Sequence, residues 1–419
     1  MVVAVALAVF AWQAWLGRAT AIAPMEEDPL ETFLNNHWNH PLPPQGTPRP
    51  EASALESSLG AQACGQCHTE QWEAWRTSLH SQAMGPGIHW QLRLMDQAQG
   101  NRCLRCHAPL AEQKALVALE HGWSAVPTQP RPEYIPADLH QQGVACAVCH
   151  VRDHERLGPP ARPESRLEGT AHQGFTAHDA FADSRFCATC HQFPEDGPRL
   201  AGKLQEDTFA QWQASTFAGL KSCQQCHMPD RRHLFRGIHD PATVREAVKL
   251  ELATFRENGR GAVRVTVSNV GAGHHFPTYM VPKVYVRLNL HGPNGEIRLL
   301  GEEVIGWGAD VGITREWFDT RIPAGGRFEF ERSFPLPEAS GWRVSARLDV
   351  APREHYERVF AHSLQQAGRM DAETVADLRR ALDEARRTRF EAMSVSRSLD
   401  ALLAAHNQAA AARCAHEDC

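Results

Sequence analysis

The chain has 419 residues, 42% of them hydrophobic and 22% charged, and its formal net charge is -6. This composition is typical of a soluble globular protein with room for about two or three domains. The charge is mild and the basic residues are not clustered, so nucleic-acid binding has no electrostatic basis and no nucleic-acid partner is expected.

The apolar N-terminus predicts export. Residues 1–16 are almost wholly apolar, and Arg18 and several small residues follow. Residues 1–23 therefore resemble a signal peptide with an A-x-A cleavage region, although the usual basic start is missing. The alternative is a retained inner-membrane anchor. Both place the chain in the periplasm or at the cell surface. Residues 24–54 are rich in proline and predict an extended linker or arm.

Ten of the twelve cysteines lie in five copies of C-x-x-C-H. Random order of the same residues would give roughly 0.02 such motifs. The spacing lets two thiols bond to the vinyl groups of one haem while the adjacent histidine binds the iron. The sequence thus predicts five haem c groups. The attachment cysteines are Cys64, Cys67, Cys103, Cys106, Cys146, Cys149, Cys187, Cys190, Cys223 and Cys226, followed by His68, His107, His150, His191 and His227.

Other uses of these cysteines fit less well. A zinc site needs paired C-x-x-C units around one metal and leaves the recurring histidine unexplained. A thioredoxin-like motif would occur once, beside a βαβ pattern. Covalent haem attachment takes place outside the cytoplasm, which agrees with the apolar N-terminus.

The second axial ligand decides what each haem does. Two histidines make a closed low-spin electron carrier, a methionine raises the potential, and an open position permits chemistry. The predicted distal ligands, set apart by their sequence context, are His80, His140, His178, His239 and His274.

Some assignments stay open. His172 competes with His178, and the reserves are His89, His121, His154 and His275. His37 and His40 could also reach a haem but are not assigned. Methionine suits irregular apolar gaps, so packing against haem faces is expected for Met84, Met228 and Met280.

The haem motifs predict one domain, residues 55–240, built of short helices and loops. A weak internal repeat links Trp75-x-x-Ser78 to Trp212-x-x-Ser215. The second copy has Phe217 where the first has His80, so no ligand is expected there.

The hydrophobic pattern of the sequence changes after the haem motifs. Residues 245–350 alternate apolar and polar positions and predict a β-sandwich, whose loop 271–278 carries His274 towards the haems. Residues 360–419 are expected to be helical, with a helix over 371–412 capped by Asp371. The fold class is therefore α+β multidomain. In an exported chain Cys414 and Cys419 favour a disulfide.

Several sequence segments resemble those of a known family. The first motif followed by Trp75-x-x-Ser78-x-His80, the phrase Gly143-Val-Ala-Cys146, and the segment 186–193 are similar to multihaem cytochromes related to the tetrahaem cytochrome that accepts electrons from hydroxylamine oxidoreductase. Segments 223–229 and 273–278 fit larger relatives with an appended β-domain. The resemblance covers about residues 60–280 and implies bis-histidine haems in stacked and perpendicular pairs. The fifth haem departs from the tetrahaem ligand scheme.

Three functions are compatible with these features. Electron transfer between redox protein partners is the first prediction, because closed haems need no substrate pocket. No catalytic residue is assigned. The alternative is a multihaem oxidoreductase with one five-coordinate haem acting on small nitrogen or sulfur compounds, although neither a C-x-x-C-K motif nor a recognisable haem-linked tyrosine is found. A further alternative is a subunit of an extracellular cytochrome filament that shares histidine ligands between neighbours.

Overall fold

A computed structural model describes residues 28–162 and 174–404. The predicted signal or anchor, His172, Cys414 and Cys419 lie outside the described residues. The chain divides into two compact units, Met1–Trp38 and Asn39–Cys419. Within the described residues, no helix combines the length and apolar character needed to cross a membrane.

The described part of the first unit contains one helix, α1 Pro29–His37. Asp28 caps it by accepting the Leu30 N–H at 3.0 Å, and Pro29 occupies the first turn, where its missing N–H costs nothing. The rings of Phe33 and His37, one helical turn apart, lie nearly parallel at 5.2 Å.

The haem-motif region of the second unit consists of short helices and small hairpins. Two of its helices, Gln97–His107 and Cys223–His227, begin with capping boxes in which Asp96 or Ser222 exchanges hydrogen bonds with a glutamine three residues later. The helices are α2 Ala54–Ser57, α3 Ala61–Gly65, α4 Thr69–Trp75, α5 Pro86–Leu92, α6 Gln97–His107, α7 Ala111–Glu120, α8 Cys146–His150, α9 Arg185–His191, α10 Thr208–Gln213 and α11 Cys223–His227. The strands are β1 Val151–Arg152, β2 Glu155–Gly158, β3 Thr176–Ala177, β4 Arg199–Leu200 and β5 Lys203–Leu204.

After helix α12 (Pro241–Ala247), two antiparallel sheets form the expected sandwich. One sheet has strand order β10-β9-β8-β12-β13, where β13 is Phe390–Ser398, and the other has the order β11-β7-β6. Alternate residues such as Val265, Leu288 and Ala346 are fully buried in the apolar core of this β-region, as the period-two pattern predicts. The strands are β6 Val248–Glu257, β7 Arg260–Asn269, β8 Lys283–His291, β9 Ile297–Ala309, β10 Glu316–Asp319, β11 Arg327–Phe334 and β12 Arg343–Ala351.

The C-terminal segment is only partly helical. Helices α13 (Glu354–Leu364) and α14 (Ala372–Arg387) are present, and Asp371 caps α14 through the Thr374 N–H at 2.8 Å. The expectation of helix as far as residue 412 is wrong for residues 390–398, which form strand β13 along β12. Val395 and Leu399 are four residues apart and imitate a helical stripe, but pairing with β12 prevails over that local pattern.

The haem-motif region packs directly on the β-region. Leu200 of the β4–β5 hairpin lies in an apolar cluster with Met280, Val281 and Trp307. Lys203 of the same hairpin pairs with Asp319 at 2.6 Å. These contacts place loop 271–278 beside the haem motifs.

Candidate haem-binding site

The C-x-x-C-H motifs lie at helix ends. In four of them the histidine is the last residue of its helix, as in α6, α8, α9 and α11. In the first motif Cys64 lies in α3, and His68 directly precedes α4. None of the ten cysteines forms a disulfide. One helical turn thus presents two thiols and an imidazole together, as haem attachment requires.

Three of the motif histidines are held in the tautomer that suits iron binding. Nδ1 of His107 lies 2.6 Å from the Ala83 carbonyl, and that of His150 lies 2.8 Å from the Leu157 carbonyl. His227 makes the same contact to the Arg236 carbonyl at 2.5 Å. A carbonyl only accepts, so Nδ1 carries the proton and Nε2 keeps a lone pair for a metal. These residues fit haem iron.

Three motif histidines face a second imidazole at a characteristic distance. Ring centroids are 6.3 Å apart for His80 and His191, 6.0 Å for His150 and His233, and 6.3 Å for His227 and His274. Two imidazoles that bind one metal through nitrogens at about 2 Å each have centroids roughly 6 Å apart. The spacing therefore suits an iron between the members of each pair.

Two of these second imidazoles also direct Nδ1 at a backbone carbonyl, as three of the motif histidines do. Nδ1 of His274 lies 2.9 Å from the His275 carbonyl, and that of His233 lies 3.0 Å from the Arg231 carbonyl. Desolvation by the surrounding protein lowers the pKa of His274 and of His233 to about 4. Both imidazoles are therefore neutral at ordinary pH, which is the ligating form.

His274 is presented by a tightly held loop after β7. Asn269, 1% exposed, donates to the His274 carbonyl at 2.8 Å and accepts the Ala272 N–H at 3.0 Å. A Cβ on Gly273 would lie 3.0 Å from Cβ of Phe217, so a side chain there would crowd the loop. Phe217, which replaces His80 in the second repeat copy, thus packs beside the loop that supplies His274.

His80 is fixed by the segment before the third motif. The Val144 N–H donates to the His80 carbonyl at 2.9 Å. Gly143 has φ +61°, and a Cβ there would lie 2.4 Å from that carbonyl oxygen. Only glycine permits this close approach, which explains why a glycine stands three residues before Cys146.

Two predicted ligands make other hydrogen bonds. Nε2 of His140 lies 2.7 Å from Glu120, and this bond lowers the Glu120 pKa. Nδ1 of His178 accepts the Ala180 N–H at 3.1 Å and caps a 3₁₀ turn. In the neutral ring this leaves the proton on Nε2, opposite to His107. Their roles as ligands stay predictions.

The other assigned and reserve histidines occupy separate surroundings. His239 is half-buried, desolvation lowers its pKa to about 4, and within the described residues its Nδ1 has no hydrogen-bond partner. His89 Nε2 and His275 Nδ1 are likewise buried and unpaired within the described residues. His121 stacks on Trp123 at 5.4 Å, and His154 contacts Tyr134 at 4.7 Å.

The motifs also touch one another. The Cys64 thiol of the first motif lies beside the Cys146 thiol of the third, and their interaction lowers the pKa of Cys64. The Cys106 thiol lies beside that of Cys190, and the Cys223 thiol beside that of Cys187; the interactions lower the pKa values of Cys106 and Cys223. The fourth motif therefore contacts both the second and the fifth.

Sequence reasoning missed His233. It lies in the segment His233-Leu-Phe-Arg-Gly-Ile-His239, where His239 was selected. Nothing in local sequence distinguishes the two histidines. The signal appears only when folding brings His233 opposite His150.

The fold and the clustered motifs define the class: this is the fold of a multihaem c-type cytochrome. Among solved structures the chain is similar to a penta-heme cytochrome c552 from Thermochromatium tepidum, with a TM-score of 0.57 and 17% identity. The match covers 82% of this chain and 99% of that chain. No family model and no curated protein matches the sequence. The resemblance to the tetrahaem cytochrome family stays a prediction.

Proposed function

We propose that the chain is an electron-transfer cytochrome that carries five covalent haems, most of them ligated by two histidines, outside the cytoplasm. Its donor and acceptor would be redox proteins. The fold similarity supports a multihaem cytochrome, and the five motifs supply the haem number.

The paired imidazoles carry the proposal. Three motif histidines each face another imidazole with centroids 6.0 to 6.3 Å apart. The ligand pairs would be His191 with His80, His150 with His233, and His227 with His274. A bound haem with two such ligands exchanges single electrons and has no open coordination position.

The contacts between motifs support passage of electrons within two groups, one formed by the first and third motifs and the other by the second, fourth and fifth. A cysteine that attaches a haem bonds directly to the porphyrin edge, so contacting cysteines from two motifs bring two such edges together. The thiol contacts link motif one with three, two with four, and four with five. The fourth motif, residues 187–191, would stand between the second and the fifth.

The first test is low-temperature EPR of the oxidised protein, with haem quantified on the same sample. Five haems per chain with only low-spin signals would support the proposal. A haem content well below five, or several high-spin signals, would refute it.

One observation favours a second candidate, an oxidoreductase with one five-coordinate haem acting on small nitrogen or sulfur compounds. Within the described residues, no imidazole ring faces His107 at the spacing of the three pairs. A stoichiometric high-spin signal that changes when cyanide or nitrite is added would favour this candidate. If His107→Gly alters this high-spin signal and leaves the low-spin signals unchanged, the open haem would be at the second motif.

A further inference from the structure

Phe235 lies between two of the candidate distal ligands. Its ring centroid is 4.1 Å from that of His80, with the planes at 50°. It is 5.7 Å from that of His233, with the planes at 86°. Both distances are in the range of aromatic contacts.

The contacts continue on both sides. His80 faces His191 at 6.3 Å, and His233 faces His150 at 6.0 Å. Five rings therefore follow one another from the fourth motif to the third, with Phe235 in the middle. It is the only member of the series that cannot bind a metal.

Phe235 reaches this place in an unfavourable backbone conformation. Its φ is +47°, in the left-handed region that bulky residues rarely adopt. The segment is held on both sides, because His227 donates to the Arg236 carbonyl and His233 to the Arg231 carbonyl. Phe235 also packs on the cluster of Ala61, Trp75 and Ala145. Tertiary contacts maintain a conformation that the local chain disfavours.

We propose that Phe235 is a positioning residue that sets the ring orientations of His80 and His233, and through them the properties of the haems at the fourth and third motifs. The inference rests on the proposed function, since it treats these two histidines as axial ligands. Ring orientation matters because the spectroscopic signature and potential of a haem depend on its axial ligands and their surroundings.

The experiment compares Phe235→Leu and Phe235→Tyr with the wild-type protein. EPR gives the low-spin g-values, and a spectroelectrochemical titration gives the midpoint potentials. In Phe235→Leu we expect the low-spin signals and potentials of two haems to shift while the others stay in place. Phe235→Tyr keeps the ring and should retain the wild-type values. Phe328→Leu is the control. Phe328 is a half-buried residue of strand β11, outside the haem-motif region, and its substitution should shift no EPR signal and no midpoint potential.

Unchanged g-values and potentials in a Phe235→Leu protein with full haem content would overturn the inference. If that variant loses haem, Phe235→Met, whose unbranched side chain adapts more readily to the site, is read by the same criteria. Failure of the proposed function looks different: the wild-type protein itself would then lack five haems or the low-spin signals. Shifts spread evenly over all haems would also contradict a role confined to His80 and His233.

Discussion

At the scale of single residues, His274 gives the sharpest test of the ligand pairs. His274→Gly removes the imidazole that faces His227 at 6.3 Å. We expect about one of the five haems to become high-spin, because its iron loses one axial ligand. Added imidazole should restore the low-spin signal by entering the space. EPR and haem quantification measure both effects.

The neighbouring residue supplies the control. His275→Ala leaves the His275 carbonyl, which accepts from His274 Nδ1, in place. Its EPR spectrum should match that of the wild type. A His274→Gly protein with unchanged low-spin signals would contradict the pairing.

A second comparison separates two histidines by their hydrogen bonds. His233→Gly should convert one haem to high spin, since His233 has the ligating tautomer and faces His150. His178→Asn should keep the wild-type spectrum, because asparagine can also accept the Ala180 N–H at the start of the 3₁₀ turn. A high-spin haem in His178→Asn together with an unchanged EPR spectrum in His233→Gly would indicate that His178 is the ligand and His233 is not.

His355 makes stability depend on pH. It is 2% exposed, receives a hydrogen bond from Arg358 at 3.1 Å, and has Glu354, Lys283 and Asp310 as charged neighbours. Desolvation, Arg358 and Lys283 lower its pKa from 6.5 to about 4. The unfolded chain therefore binds a proton that the folded chain does not, so stability is complete above pH 6.5 and decreases towards pH 4.

This residue alone should lower the free energy of unfolding by about 2 kcal/mol between pH 7 and pH 5. His355→Gln should lose that difference, as measured by denaturant unfolding at the two pH values. His362→Gln, an exposed histidine on the same helix α13, should keep it. Equal pH dependence in both variants would show that His355 titrates normally.

These residues also show how far sequence reasoning reaches. The five C-x-x-C-H motifs are evident in the sequence, because haem attachment would impose this spacing and one helical turn brings the cysteines and the histidine together. The proposed distal ligands come from remote segments: His80 lies 111 positions before His191, and His233 lies 83 positions after His150. Only the tertiary fold pairs them, so the sequence could select His80 and His274 but not His233.

At the scale of elements, the loop after β7 depends on one buried amide. Asn269 donates to the carbonyls of His274 and Ile322 and accepts from Ala272. Asn269→Ala leaves these backbone groups without their partner, and we expect a loss of about 1–3 kcal/mol in unfolding free energy. The loop should also hold His274 less firmly, so part of one haem should become high-spin.

Thermal unfolding and EPR measure the two effects. Asn289→Ala on β8 is the control, since the half-buried Asn289 does not touch this loop; it should change neither the melting temperature nor the spin state appreciably. If Asn269→Ala is destabilised but its haems stay fully low-spin, the amide supports the sandwich and not the ligand.

Strand and helix predictions differed in quality for a physical reason. Period-two burial over β7, β8 and β12 was predictable because one face of each strand meets the sandwich core. The dipeptide Asn258-Gly259 between β6 and β7 likewise favours a tight turn, and both residues have positive φ, +49° and +79°. Strand β13 was not predicted, because these residues form a strand only through pairing with β12, which precedes them by several dozen residues.

At the scale of the whole molecule, the β-region and the haem-motif region share the cluster of Leu200, Met280, Val281 and Trp307. Trp307 is fully buried, and Arg321 and Lys203 lie 4.2 Å and 4.9 Å from its ring centroid. Such cation–π contacts add to the apolar packing. The loop that delivers His274 therefore starts from a sandwich already attached to the haem-motif region, and we expect both regions to unfold in one transition.

Leu200→Ala tests this coupling, because it empties a site that is 4% exposed where the two regions meet. The cavity should lower the free energy of unfolding by about 2–5 kcal/mol. Haem absorbance reports on one region and far-ultraviolet circular dichroism on the strands of the other. Both transitions should move together to lower denaturant, as they should in Leu290→Ala, which opens a cavity deep in the sandwich. A haem transition that stays in place while the strand signal moves would mean that each region folds independently, and that His274 is bound by its iron and not delivered by a rigid sandwich.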